Sequence, residues 1–147
     1  MKKQAYTMIA MFVLVGSMAV AAKAQTGGRT QLVANIPFQF NIGNKTLPAG
    51  KYAVRAASGG TSIVVLTIQS HDGKASASLM MSTVEGKAQQ GAKLIFNRYG
   101  NQYFFAEAWV DGDANGLQAP KSRAERAAES EMAGMKAKAE TVALRVR

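Results

Sequence analysis

Asp111-Gly112-Asp113-Ala114-Asn115-Gly116 is the stretch whose spacing comes nearest to a defined chemistry. In calcium loops, side-chain oxygens at alternate positions converge on a hard cation and a glycine in sixth place permits the sharp bend. Here the second half of the pattern is missing, because Ser122 stands at the twelfth position, where a bidentate glutamate would complete the shell. Asp, Asn and Gly are also the residues of any reversal between two elements. Asp111, Asp113 and Asn115 are therefore candidate calcium ligands, set beside the plainer reading of a solvated turn. Zinc and related metals need several His or Cys donors, and the chain has one histidine, His71, and no cysteine.

Catalytic constellations are not spelled out. His71 adjoins Asp72 in a turn, where neighbouring side chains diverge, so the two do not read as a base with its orienting acid. There is no Gly-x-Ser-x-Gly elbow. Gly27-Gly28 and Gly59-Gly60 lack both the lysine and the strand-to-helix setting of a phosphate-cradling loop. No cofactor is implied.

Glu107 is the ionisable group that the pattern sets in an apolar setting. Gly100-Asn101 between 93–99 and 102–110 is a two-residue hairpin signal. Its register places Phe96 opposite Phe105, Arg98 opposite Tyr103, Leu94 opposite Glu107 and Ala92 opposite Trp109, with the Phe96/Phe105 side towards the core. A carboxylate on that face must find a partner or stay neutral. Three readings stand: a structural bridge between Glu107 and Arg98, with Arg98 stacked on Tyr103; a small polar ligand site formed by Arg98, Tyr103 and Glu107 in an aromatic pocket; or a register off by one, with Glu107 facing water.

The elements that must position these residues are mainly strands. Ile36, Phe38, Phe40 and Ile42 alternate with polar neighbours, so 33–42 reads as one half-buried strand, and Pro37, lacking an amide proton, suggests a sheet edge. Leu47-Pro48-Ala49-Gly50 reverses the chain into a strand at 51–56. Residues 63–68, Ile-Val-Val-Leu-Thr-Ile, are apolar on both faces and predict a strand covered from two sides. A further strand is expected at 75–81, and Glu85 to Gly91 reads as a polar loop. Ser122 and Glu125 form a capping box opening an alanine-rich helix over 122–138. Its small stripe, Ala124, Ala128, Met132, Met135 and Ala139, suits packing on a sheet and could supply the second cover for 63–68. Val142, Leu144 and Val146 return to period two, read as a short closing strand at 141–146, with a helix running to the end as the competitor. The expected fold is mainly β: an antiparallel sandwich or small barrel of six to seven strands over 33–110, with one C-terminal helix packed on a sheet.

The start of the chain speaks to location. Lys2 and Lys3 precede an apolar run from Ala5 to Ala22, and Ala22-Lys23-Ala24 places small residues before Gln25, the layout of a secretory signal cleaved between Ala24 and Gln25. Cleavage leaves one domain, residues 25–147, with no transmembrane span, periplasmic or extracellular, and stabilised by packing since no disulfide can form. Removing Lys2, Lys3 and Lys23 from 18 basic residues leaves 15 against 9 acidic, a net of +6. That balance suits an anionic polymer, or an envelope or extracellular protein, as partner. Nucleic acid is not expected, because the aromatics lie in the β region while much of the basic excess lies in the helix among Glu125, Glu129 and Glu131.

The segment 33–54, VANIPFQFNIGNKTLPAGKYAV, resembles a group of small exported bacterial β-rich proteins of uncharacterised function. Phe96-Asn97-Arg98-Tyr99-Gly100, Tyr103-Phe104-Phe105, Trp109 and the Ser122 to Glu125 helix opening resemble the same group. The resemblance implies a compact β domain and transfers no site. The function expected from the sequence is an exported non-catalytic binding or structural module. Its alternative is a small-ligand binder with a pocket near Arg98, Tyr103 and Glu107, and an enzyme comes third. A pocket beside Glu107 would favour the ligand binder, and an exposed helix stripe would favour a protein or membrane partner.

Overall fold

The computed structural model describes residues 32–58, 63–133 and 135–146; the expected leader and the expected Ala24–Gln25 cleavage point lie outside the described residues. The strands are β1 (Leu32–Ile36), β2 (Phe40–Ile42), β3 (Lys45–Leu47), β4 (Gly50–Ser58), β5 (Val64–Ser70), β6 (Ser76–Glu85), β7 (Lys93–Tyr99), β8 (Gln102–Trp109), β9 (Asn115–Gln118) and β10 (Lys138–Val146), with helix α1 (Arg123–Glu131) before the last. Eight of them close a ring in the order β8-β7-β10-β1-β4-β5-β6-β9, and β9 pairs back onto β8. Every pairing in the ring is antiparallel. The fold is thus an eight-stranded closed barrel, not a sandwich and not six or seven strands. Closure leaves no long edge exposed, which a cysteine-free barrel of this size can achieve by backbone pairing alone.

Three local features account for the difference from expectation. Pro37 ends β1 instead of lying within an edge strand: β1 sits mid-wall between β10 and β4, and the chain beyond Pro37 leaves the wall to form the β2–β3 hairpin. That hairpin turns at Gly43 (φ 57) and meets β8 through one parallel bridge, Asn41 to Phe104, and through the Asn41 amide, which donates to the Tyr103 carbonyl (3.2 Å). Next, the stretch expected as a plain reversal contains β9, four residues that bond β6 on one side and β8 on the other and so seal the barrel. Finally, the helix stops at Glu131, and β10 is longer than expected, pairing Lys138–Ala143 with β7 and Leu144–Val146 with β1. Alanine favours helix in this segment, but a strand there pairs on two sides and buries Val142 and Leu144.

The β7–β8 hairpin follows the expected register from Tyr99/Gln102 to Phe96/Phe105 and then shifts by one at a bulge. Gly100, at φ 59, takes the first corner of the reversal. Past the bulge Ile95 faces Glu107, Leu94 faces Ala108 and Lys93 faces Trp109, so the expected pairs Leu94/Glu107 and Ala92/Trp109 do not form. One extra residue exchanges the faces of everything after it. Ala108 turns inward; Glu107 and Trp109 turn outward.

Helix α1 covers the outer face of β7 and β8, where Ala128 and Met132 pack on Tyr99 and Phe104. It does not cover β5, whose outward Val65 and Thr67 stay half-buried, Thr67 Oγ1 lying 2.9 Å from Ser78 Oγ. Of the expected stripe only Ala128 is buried and Met132 half-buried; Ala124 is exposed, Met135 lies beyond the helix and is 68 % exposed, and Ala139 belongs to β10. Among the described residues no helix is long and apolar enough to cross a membrane.

Candidate functional site

The two ends of the barrel are filled differently. One end is packed with aromatic rings: Phe96 meets Phe38, Phe40 and Phe105 edge-on at 5.2–5.7 Å, Phe40 meets Tyr52 at 5.3 Å, and Phe38 stacks on Tyr103 at 3.9 Å. The β2–β3 hairpin brings Phe40, Ile42 and Leu47 into this plug, and the Tyr52 hydroxyl donates to the Pro48 carbonyl. Edge-to-face pairs add about 0.5–1.5 kcal/mol each beyond the area they bury. The residues that carry the resemblance at 33–54 are thus mostly residues of the plug and the adjoining wall.

At the other end the inward side chains are aliphatic and short. Leu32 of β1, Val54 of β4, Leu66 of β5, Ala108 of β8, Leu117 of β9 and Leu144 of β10 surround a chamber of about 390 Å³, with Ala92 and Trp109 also on its wall. No aromatic side chain of the plug lines this chamber, and its two polar liners, Arg55 and Asp111, are both exposed. Val110, 53 % exposed, and Asp111 stand at the rim. Ile63, 51 % exposed, precedes β5 at the same end. Eight strands give an interior that side chains just fill or that holds one small ligand. This barrel is filled by side chains at one end and leaves space at the other.

The rim is held by a clasp of two loops. Gly86 N–H donates to the Ala114 carbonyl (2.8 Å), Gly112 N–H to the Gln89 carbonyl (2.9 Å), and Gly91 N–H to Asp111 Oδ1 (2.7 Å). Asp113 Oδ1 accepts from the Asn115 N–H (2.8 Å) and its Nδ2 (3.3 Å). The carboxylates of the calcium-like stretch are thus used in closing loops and starting β9. Among the described residues no group of three or more His, Asp or Glu is placed to hold a metal ion.

Trp109 lies on the outside of the same end, its indole pressed between two glycines. A Cβ added at Gly86 would fall 2.6 Å from the ring, and one at Gly116 would fall 2.7 Å from it. The indole Nε1 donates to Glu107 Oε2 at 2.7 Å. The register does shift by one and Glu107 leaves the core face, but instead of simply facing water it is half-buried and orients Trp109 on the outer wall. Arg98 and Tyr103 lie at the plugged end. The guanidinium sits 5.3 Å from the Tyr103 ring centre, donates from Nε to the Gly100 carbonyl (2.8 Å) and pairs with Glu140, not Glu107 (3.4 Å). A hollow of about 310 Å³ beside Arg98 is lined by Met132, Met135, Lys136 and Lys138, without Tyr103 or Glu107.

Beneath α1, Glu125 is 3 % exposed and accepts from Asn97 Nδ2 (2.8 Å) and the Tyr99 hydroxyl (3.4 Å). Its own N–H donates to Ser122 Oγ (3.1 Å), so half of the capping box forms while the carboxylate turns to the barrel wall. Burial, with the Glu125 charge beside it, holds the Tyr99 phenol above its ordinary range.

No family model matches this chain, and no curated protein or solved structure matches it. Function has to be read from the barrel itself. The chamber escaped sequence reading because its walls come one residue each from six strands, with no motif among them. The usable signal was the crowding of aromatics towards one end of the strand ladder.

Proposed function

We propose that this chain is an exported, non-catalytic binding barrel that takes one small apolar molecule in its open end. The reading is supported by one observation above others: an aliphatic chamber of about 390 Å³ at one end of a barrel whose other end is packed solid. Ligand sites of this kind are concave, largely apolar and about 300–1,000 Å³. An apolar body of about ten carbons contributes roughly 8 kcal/mol on burial; an association cost of about 4 kcal/mol then leaves a dissociation constant of about 1 mM.

A titration with an apolar fluorescent probe tests this. Trp109, the only tryptophan, borders the open end from its outer side, next to the inward Ala108, and reports on it through that strand. Saturable probe binding with a change in Trp109 emission is expected, and Ala108→Phe, which fills the chamber, abolishes it while circular dichroism stays unchanged. Equal probe binding by wild type and the folded Ala108→Phe protein rejects the chamber as the site.

A second reading, docking of an envelope or extracellular protein, draws on Ile63, Met80 and Val110, large apolar side chains more than half exposed. Loss of partner capture in Ile63→Ser/Val110→Ser with probe binding intact would favour it. Export itself is supported by the leader composition, and the exported form is expected to begin at Gln25, read by intact mass.

A further inference from the structure

The barrel wall has a seam that pairs over only part of its length. β1 bonds β10 at Leu32/Val146, Val33/Arg145 and Ala34/Leu144, then continues along β4 to Ile36/Gly50, while β10 continues along β7 to Lys138/Arg98. The two strands diverge and leave a cleft of about 710 Å³ lined by Asn35, Lys51, His71 and Arg145 over Val33 and Val142. Asn35, Lys51 and Arg145 alternate with the buried Ala34, Ile36, Tyr52 and Leu144, so the cleft opens on the outer surface, away from the apolar chamber.

We infer that this cleft binds the oxyanion group, phosphate or carboxylate, of a small ligand. Three of the four polar liners are basic types and the fourth carries an amide donor; no carboxylate is among them. Lys51 faces Asn35 across β1 and β4, and the His71 N–H donates to the Lys51 carbonyl at 2.9 Å, so these side chains share one lip. Arg145 of β10 stands opposite Val33, two residues along β1 from Asn35, on the same cleft. Among the described residues none of the four side chains is engaged in a hydrogen bond or ion pair. The carboxylates nearest in the chain are already engaged: Asp72 accepts from Ser70 Oγ (2.6 Å) and the Lys74 N–H (3.0 Å), and Glu140 pairs with Arg98. A guanidinium fork, an ammonium and an amide held in a concave site form charge-assisted bonds to an oxyanion, which scattered surface lysines do not. Such a site stands independently of the apolar chamber.

Pyrophosphate and citrate, each titrated into the isotopically labelled protein at constant ionic strength, decide the matter by backbone amide shifts. Saturable shifts confined to Asn35, Lys51, His71 and Arg145 are expected with at least one of the two. Pyrophosphate alone assigns a phosphate group and citrate alone a carboxylate. Lys51→Ala/Arg145→Ala, both at exposed positions, should weaken binding by about tenfold or more, while Lys87→Ala in the rim loop leaves it unchanged. Shifts spread evenly over the basic surface, or an unaltered affinity in the folded double variant, overturn the assignment. The wild-type shift map carries the test by itself should the double variant not fold.

Discussion

Trp109 shows how much a single position depends on its neighbours. Its ring occupies the space that a side chain at Gly86 or Gly116 would take, so Gly116→Ala forces the indole or β9 to move. Overpacking of this kind costs about 1–3 kcal/mol, and urea unfolding followed by Trp109 emission should show that loss together with a red-shifted native spectrum. Glu125 is the other exacting residue. Glu125→Ala leaves the Asn97 amide and the Tyr99 hydroxyl without their acceptor under α1, a loss of about 1–3 kcal/mol. The two shifted phenols set an alkaline limit. Tyr99, through burial and the charge of Glu125, and Tyr52, through burial and the charge of Asp72, both hold their protons more tightly folded than unfolded. Their contribution is complete below the unfolded value of about 10 and is lost as pH rises from there through the folded values, because the unfolded chain releases these protons first. Tyr99→Phe should flatten part of that decline in thermal melts between pH 9 and about 11, and Tyr52→Phe/Tyr99→Phe more of it.

Among the elements, β10 is the one on which closure rests, since it joins the first strand to β7 in mid-wall. Ending the chain at Ala137 should abolish cooperative unfolding, seen as loss of the thermal transition and of the far-ultraviolet strand signal. Deleting a strand expected only at a sheet edge would do far less. The strands at 51–56, 63–68 and 75–81 and the hairpin at Gly100-Asn101 were legible because alternation and turn residues agree locally. What was not legible was set by pairing at a distance. No local pattern marks Asn115–Gln118 as the sealing strand, because its four residues earn their place only between β6 and β8. The bulge at Ile95/Phe96 is likewise invisible to alternation, yet it sends Glu107 outward and Ala108 inward. The helix boundary at Glu131, seven residues short of Lys138, reflects the same competition between local propensity and wall pairing.

Across the whole molecule the asymmetry between ends is the feature on which the proposed binding role rests. Aromatic residues from β2, β4, β7 and β8 and the Phe38 ring fill one end, while one short side chain from each of six strands leaves the other open. Of the residues singled out from the sequence, Asp111, Asp113 and Asn115 close the rim loops, Glu107 holds Trp109, and Arg98 and Tyr103 lie at the plugged end. Sequence patterns showed strands but not where in the closed ring each inward residue falls, and that depth alone defines the chamber. The proposed occupant of the open end is a small apolar molecule. Intermolecular nuclear Overhauser effects between a bound apolar probe and the methyl groups of the protein test it most directly. Contacts from Val54, Leu66, Leu117 and Leu144, with none from Ile36, Ile42 or Leu47 in the plug, are predicted. Contacts confined to outward methyls such as Val65 and Met80, or none to the chamber at saturating probe, would contradict it.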